Sequence, residues 1–270
     1  MPFFTHDGLN FHYLDKGRGT PFVFQHGLGG DVSQPFGIFA PPPGFRLLAF
    51  DCRAHGETRP LGEPEGIALA CFANDLLTFM DHLGLAAAIV GGISMGAAVA
   101  LNFTLRFPQR VSGLVLSRPA WLDSPMLRNA TIYARIAQLI RGYGPERGQE
   151  LFQQSEEYRE VLSDSPDSAS SLISQFQNPR AAETVIKLER IPNDSPSRDR
   201  REWSSIQVPT LVLASQQDPI HPFEFGEILA REIPGAEFKE LTPKSVSRDR
   251  HAAEVQEFVG SFLRRRCAVA

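Results

Sequence analysis

The segment AAAIVGGISMGAAVALNFTLRF, residues 86–107, decides the architecture. Its apolar start, Ala86–Val90, is short enough for a buried strand. From Met95 to Phe107 the apolar residues fall at helical spacing, and Pro108 ends the helix because its ring obstructs continuation. Between them stands Gly92-Ile93-Ser94-Met95-Gly96. Small residues there let the chain turn sharply from strand to helix and hold Ser94 in a strained conformation, Oγ exposed beyond the sheet edge. The helix N-terminus behind it favours developing negative charge. Ser94 is the candidate nucleophile.

Outward from this turn the rhythm repeats. Short apolar runs at Leu9–Leu14, Pro21–Gln25, Phe45–Phe50 and Val111–Leu116 read as strands. An apolar helical face is formed by Leu69, Phe72, Leu76, Phe79, Met80 and Leu83. Strands separated by helices imply right-handed crossovers and a mostly parallel sheet. The rhythm stops after Leu116. Helices are predicted over Met126–Arg141, Pro145–Phe152 and Ala181–Ile191, with no clear strand before Ser205. It resumes with a strand over Val208–Ala214, a helix from Phe223 to Glu232, a strand over Phe238–Leu241 and a helix ending near Leu263. Residues 1–118 and 206–270 therefore form a core, and 119–205 a helical cap inserted over it.

Composition narrows the function classes. The 270 residues, 42% of them apolar, suit a folded domain with a sizeable core. With 27 basic and 31 acidic residues the net charge is −4, which offers nucleic acid no broad attraction. The basic clusters Arg198–Arg200–Arg201 and Arg264–Arg265–Arg266 read as solvated surface. Cys52, Cys71 and Cys267 are odd in number and far apart, without zinc spacing or a disulfide framework. There is no phosphate-cradling loop, so no cofactor or metal is expected. The N-terminus lacks the basic and apolar regions of a secretory signal, and no apolar run is long enough for a span. A cytoplasmic protein acting on a small molecule, without membrane or nucleic-acid partner, is the expectation. Oligomeric state leaves no signal.

Four ordered motifs now resemble those of the α/β-hydrolase superfamily. They are His26-Gly27-Leu28-Gly29-Gly30, Asp51-Cys52-Arg53-Ala54-His55-Gly56-Glu57-Thr58, the Ser94 turn, and Phe107-Pro108-Gln109-Arg110-Val111 leading into a strand. The chain is similar to capped bacterial serine hydrolases, esterases and enol-lactonases among them. The resemblance implies an α/β-hydrolase fold: a mostly parallel eight-stranded sheet flanked by helices, with a helical cap. It assigns the oxyanion-hole amides to Leu28 and Met95. His26 and the Asp51, Arg53 and His55 group read as structural pins of their turns.

The order of the triad in this fold is serine, acid, histidine. Asp218 follows the strand Val208–Ala214, where the family places its acid; Asp123 is the rival. His221 stands too close to Asp218 in the chain to present its ring from the next loop. That leaves His251 as the base, at the front of the last helix, nearer the terminal Phe262-Leu263 than in the family pattern. At the end of a strand, Arg118 reads either as a clamp for a substrate carboxylate or as an ion pair tying cap to core. Trp121, Leu122, Phe152, Phe176 and Trp203 are apolar candidates for the cap lining, and Phe36 and Phe39 for the rim. The activity implied is hydrolysis of a carboxylic ester or lactone through an acyl-enzyme. A carbon–carbon bond hydrolase or a small-molecule receptor on the same scaffold are the alternatives. Aspartate-dependent dehalogenases and epoxide hydrolases are disfavoured by Ser94.

Overall fold

A computed structural model describes residues 2–267, with residues 127–129 in backbone only. Eight strands form one sheet: β1 (Phe3–His6), β2 (Leu9–Gly17), β3 (Thr20–Gln25), β4 (Phe45–Phe50), β5 (Ala88–Ile93), β6 (Val111–Ser117), β7 (Thr210–Ser215) and β8 (Glu237–Leu241). Their spatial order is β1-β2-β4-β3-β5-β6-β7-β8. The β1–β2 and β2–β4 pairs are antiparallel, and every later pair is parallel. The helices are α1 (Ser33–Ile38), α2 (Leu69–His82), α3 (Met95–Arg106), α4 (Leu127–Gln153), α5 (Glu156–Asp164), α6 (Pro166–Gln177), α7 (Ile186–Arg190), α8 (Phe223–Glu232) and α9 (Arg248–Phe262). This is the α/β-hydrolase fold that the motifs implied.

Alternation along the strands splits the core into two layers. Phe22 and Phe24 of β3, Leu47 of β4 and Val115 of β6 face Val255, Val259 and Phe262 of α9. Val23, Leu48, Phe50 and Leu114 face the opposite layer, with Phe72, Leu76 and Phe79 of α2 and Val99 and Phe103 of α3. With both faces covered, the central strands are apolar throughout rather than alternating.

Most of the expected strands lie within a residue or two of their positions, and β5 runs on through Gly92 to meet Ser94. The strand β1 was not anticipated. The stretch between β6 and β7 differs most. The two helices expected over Met126–Arg141 and Pro145–Phe152 are both present: the run α4 is broken at Gly144, whose φ of 77° and ψ of 168° are not helical, directly before Pro145. The helix expected over 181–191 is reduced to α7 and a 3₁₀ turn, Ile191–Asn193. Helices α5 and α6 start on serine caps, Ser155 and Ser165, whose side chains accept hydrogen bonds from the amides of Tyr158 and Ser168. The helix α6 packs on α4 and reaches the carboxyl edge of the sheet, where the site lies.

Candidate active site

Ser94 joins β5 to α3 with φ 55° and ψ −110°, a left-handed conformation uncommon for a residue with a Cβ. Its amide is tied to the Ser117 carbonyl at 2.9 Å. The turn requires glycine on both sides. A Cβ at Gly92 would stand 2.4 Å from the Gly96 carbonyl carbon, and one at Gly96 would stand 2.3 Å from the Gln25 oxygen. The strained turn therefore persists because the backbones around it leave no alternative.

The Ser94 Oγ lies 2.9 Å from Nε2 of His221. The other ring nitrogen, Nδ1, lies 3.0 Å from both carboxylate oxygens of Asp218. Because Nδ1–H donates to the carboxylate, Nε2 is left as an acceptor for the serine hydroxyl proton. Asp218 and His221 come from one loop, between β7 and α8, three residues apart, with the His221 amide donating to the Asp218 carbonyl at 3.2 Å. Arg118 donates to Asp218 Oδ2 through Nε (2.9 Å) and an η-nitrogen (2.5 Å). Ser168 of α6 donates to Oδ1 at 3.3 Å.

This differs from the expected base. The structure seats His221 on Ser94 and not His251, which is buried on the first turn of α9 with Nδ1 donating to the Thr242 carbonyl at 2.8 Å. Closeness in the chain does not exclude His221, because a tight turn folds its ring back onto Asp218. In the loop after β8, the side chain entering the cavity is Lys244. Asp123 is engaged by the Arg200 amide (3.3 Å) and guanidinium (3.8 Å). Arg118 borders the cavity, but its guanidinium is committed to Asp218 of the core, so it is neither a free clamp nor an ion pair from core to cap.

Burial would raise the Asp218 carboxyl, but the charges and hydrogen bonds of His221 and Arg118 overrule it and hold the group far below the usual carboxylate range. For His221, burial lowers the imidazole, Asp218 opposes this, and Arg118 and Lys244 reinforce it. The net shift is downward, so the ring is neutral near pH 7. Burial, with Arg118 and Lys244, brings His251 to about 4 against the pull of the Thr242 carbonyl. Lys244 is brought to about 8, by burial first and then by Arg118.

On the oxyanion side, the Gly27 carbonyl accepts from His26 Nδ1 and from the Gly30 amide, both at 2.9 Å. In a trans peptide the N–H of Leu28 then points the opposite way. Both Gly27 and Leu28 border the cavity. Met95 opens α3, so its amide has no intrahelical acceptor. The Cys52 amide donates to His26 Nε2 at 3.0 Å, and His55 Nε2 lies 2.9 Å from the Leu28 carbonyl. Asp51 accepts from the amides of Val32 and Glu57 and contacts His12, whereas Arg53 pairs with Asp75 and Asp7 rather than with Asp51.

The cavity above Ser94 has a volume of about 440 Å³. Its walls include Ser170, Ser171 and Ser174 of α6, Tyr133 of α4, and Gly37 and Ile38 at the rim. Trp121, offered by the sequence as a substrate contact, is buried away from it, beside Ala97, Leu101 and Leu229. Leu122, Phe152, Phe176 and Trp203 are likewise buried off the cavity, where they pack the core. Sequence reasoning missed His221, Ser168 and Lys244. The His221-Pro222 pair directly ahead of α8 was the available signal for the first. No group of three or more His, Cys, Asp or Glu side chains that could hold a metal occurs among the described residues. None of the described helices is long and apolar enough to cross a membrane.

The family model described as alpha/beta hydrolase fold matches residues 20–245. The chain belongs to the alpha/beta hydrolase fold family. It is 26% identical over 266 residues to the AB hydrolase superfamily protein YisY of Bacillus subtilis, covering 96% of each chain. It is 23% identical over 247 residues to 3-oxoadipate enol-lactonase 2 of Acinetobacter baylyi, covering 88% of this chain and 86% of that one. Among solved structures, the enol-lactonase from Burkholderia xenovorans LB400 superposes with a TM-score of 0.73 at 23% identity, covering 98% of this chain and 100% of the other. The chain is thus similar to enol-lactonases, and at this identity the superposition speaks to the fold.

Proposed function

We propose that this alpha/beta hydrolase is a serine hydrolase that cleaves a carboxylic ester or lactone of a small molecule through an acyl-enzyme on Ser94. The observation that carries this reading is the hydrogen-bonded line from Ser94 through His221 to Asp218. As Oγ attacks the carbonyl carbon, its proton passes to His221 Nε2, and Asp218 stabilises the imidazolium. The oxyanion then receives the amides of Leu28 and Met95, whose worth in such sites is several kcal/mol. His221 returns the proton to the departing alkoxide. Water repeats the sequence and frees the acid. The helical segment 119–205 serves as the cap that shapes the pocket.

A charge on the substrate follows from the cavity wall. Lys244 and Arg248 share one carboxylate, Asp167, at 3.9 Å and 3.0 Å, while Arg118 is answered by Asp218. One positive charge is left over beside the nucleophile. It supports a substrate bearing a carboxylate, met by Lys244 in place of the clamp that Arg118 does not provide.

The test pairs a nitrophenyl hemi-ester of a short dicarboxylic acid with its neutral methyl-capped analogue, alongside fluorophosphonate labelling. Expected are labelling at Ser94, loss of turnover by at least about 10³-fold in Ser94→Ala, and preference for the anionic ester that Lys244→Gln removes. Turnover that survives in Ser94→Ala overturns the reading. Equal use of both esters removes its charge clause.

A further inference from the structure

We propose that Arg118 is the positioning residue that makes a working acid–base pair out of two side chains on one loop. It holds Asp218 so that His221 meets Ser94, and it offsets the carboxylate charge behind the imidazole. This rests on the hydrolase reading above.

The geometry makes the case. A histidine and a carboxylate three residues apart share one short loop, so neither can anchor the other against the sheet. What connects this loop to the nucleophile's side of the site is Arg118. It follows the last residue of β6, the strand next to β5 and Ser94. Its amide is fixed to the Leu213 carbonyl of β7 at 2.7 Å. Its φ of 49° is unusual for a residue with a side chain. Two of its N–H groups converge on Asp218 Oδ2, and an η-nitrogen stands 3.1 Å from His221 Nδ1. The guanidinium is nearly buried, with 11% of the side chain exposed. Water therefore screens it little.

Other groups bear on His221 from every side. Asp218 lies on its own loop, Ser94 at the head of α3, and Lys244 on the loop after β8. Ser168 reaches Asp218 from α6, and buried Tyr133 of α4 lies within the influence of Asp218 and Arg118. Arg118 is the cation in direct contact with the pair. Its positive charge opposes a second one on His221 and weakens the net pull of Asp218, so the imidazole stays neutral and free to accept a proton. Removing that charge while keeping Asp218 favours the imidazolium. The acidic limb of the activity profile must then move to higher pH.

Three variants separate positioning from mere structure. In Arg118→Met the acidic limb of kcat/KM should rise by about one pH unit, and kcat should fall by about 10²-fold through misplacement of the loop. Arg118→Lys keeps the charge but not the two-pronged hold, so kcat should fall while the limb stays within a few tenths of a unit. In a Ser94→Ala background, NMR titration of His221 with and without Arg118→Met reads the same shift without turnover, so it stands even if the substrate class is wrong. A His221 titration unmoved by loss of the guanidinium overturns the proposal, as does an Arg118→Met enzyme with unchanged kcat. Should Arg118→Met fail to fold, Arg118→Gln in the same titration replaces it.

Discussion

Under the proposed reading, what fits Asp218 to orient the imidazole is its surroundings. It receives His221, two N–H groups of Arg118 and the Ser168 hydroxyl, while Asp123 meets Arg200. Asp218→Asn should therefore lower kcat by about 10³-fold or more, since the amide can reverse the imidazole tautomer and leaves Arg118 uncompensated beside it. Asp123→Asn should change kcat by no more than a few-fold. A steady-state comparison on one ester checks the ranking, and equal losses would contradict it. At this scale Ser94 and Asp218, which the structure brings to one hydrogen-bonded line, were legible because each occupies a fixed place in a strand-turn motif. The histidine between them was not. Acid and base were expected from successive loops, whereas a four-residue turn sets Asp218 and His221 side by side. His251 had the right position in the chain order, yet its Nδ1 is used by a carbonyl rather than by a carboxylate.

Elements were readable where burial imposes a period. The strands β3 to β7 are covered on both faces and show as apolar runs. The strand β1 pairs only with β2 at the sheet margin, and its alternating exposure leaves too few apolar residues to signal it. The stretch between β6 and β7 was harder for the same reason. Its helices bury one face on each other, and α6 spends the rest on serines that line the cavity. Such a helix has weak periodicity and a polar composition that resembles loop. That is where the sequence said least about substrate, since Ser170, Ser171 and Ser174 carry no motif. The break at Gly144-Pro145 was legible, because a glycine followed by proline ends one helix and opens the next.

Over the whole molecule, the buried histidines tie stability to pH. Burial lowers His26, His55 and His221, and brings His251 to about 4. A histidine whose folded pKa lies below the ordinary 6.5 takes up protons in the unfolded chain first. Stability is therefore fully present above 6.5 and declines as pH falls from 6.5 toward the folded value. Fully buried His55, held well below the ordinary imidazole value by burial, contributes to this loss. The folded-state depression of Asp218 adds a second loss, below the ordinary carboxylate range. Urea unfolding at pH 7.5 and 5.5 should thus show a lower midpoint at the acidic pH with an unchanged slope. An equal or higher midpoint at pH 5.5 would mean that these rings are protonated in the native state.

The most direct measurement is the ester hydrolysis rate of His221→Ala against His251→Ala, both shown to be folded. His221→Ala should lose at least about 10³-fold in kcat, while His251→Ala should stay within about tenfold of the parent enzyme. The reverse ranking would contradict the proposed reading and return the proton of Ser94 to the last helix.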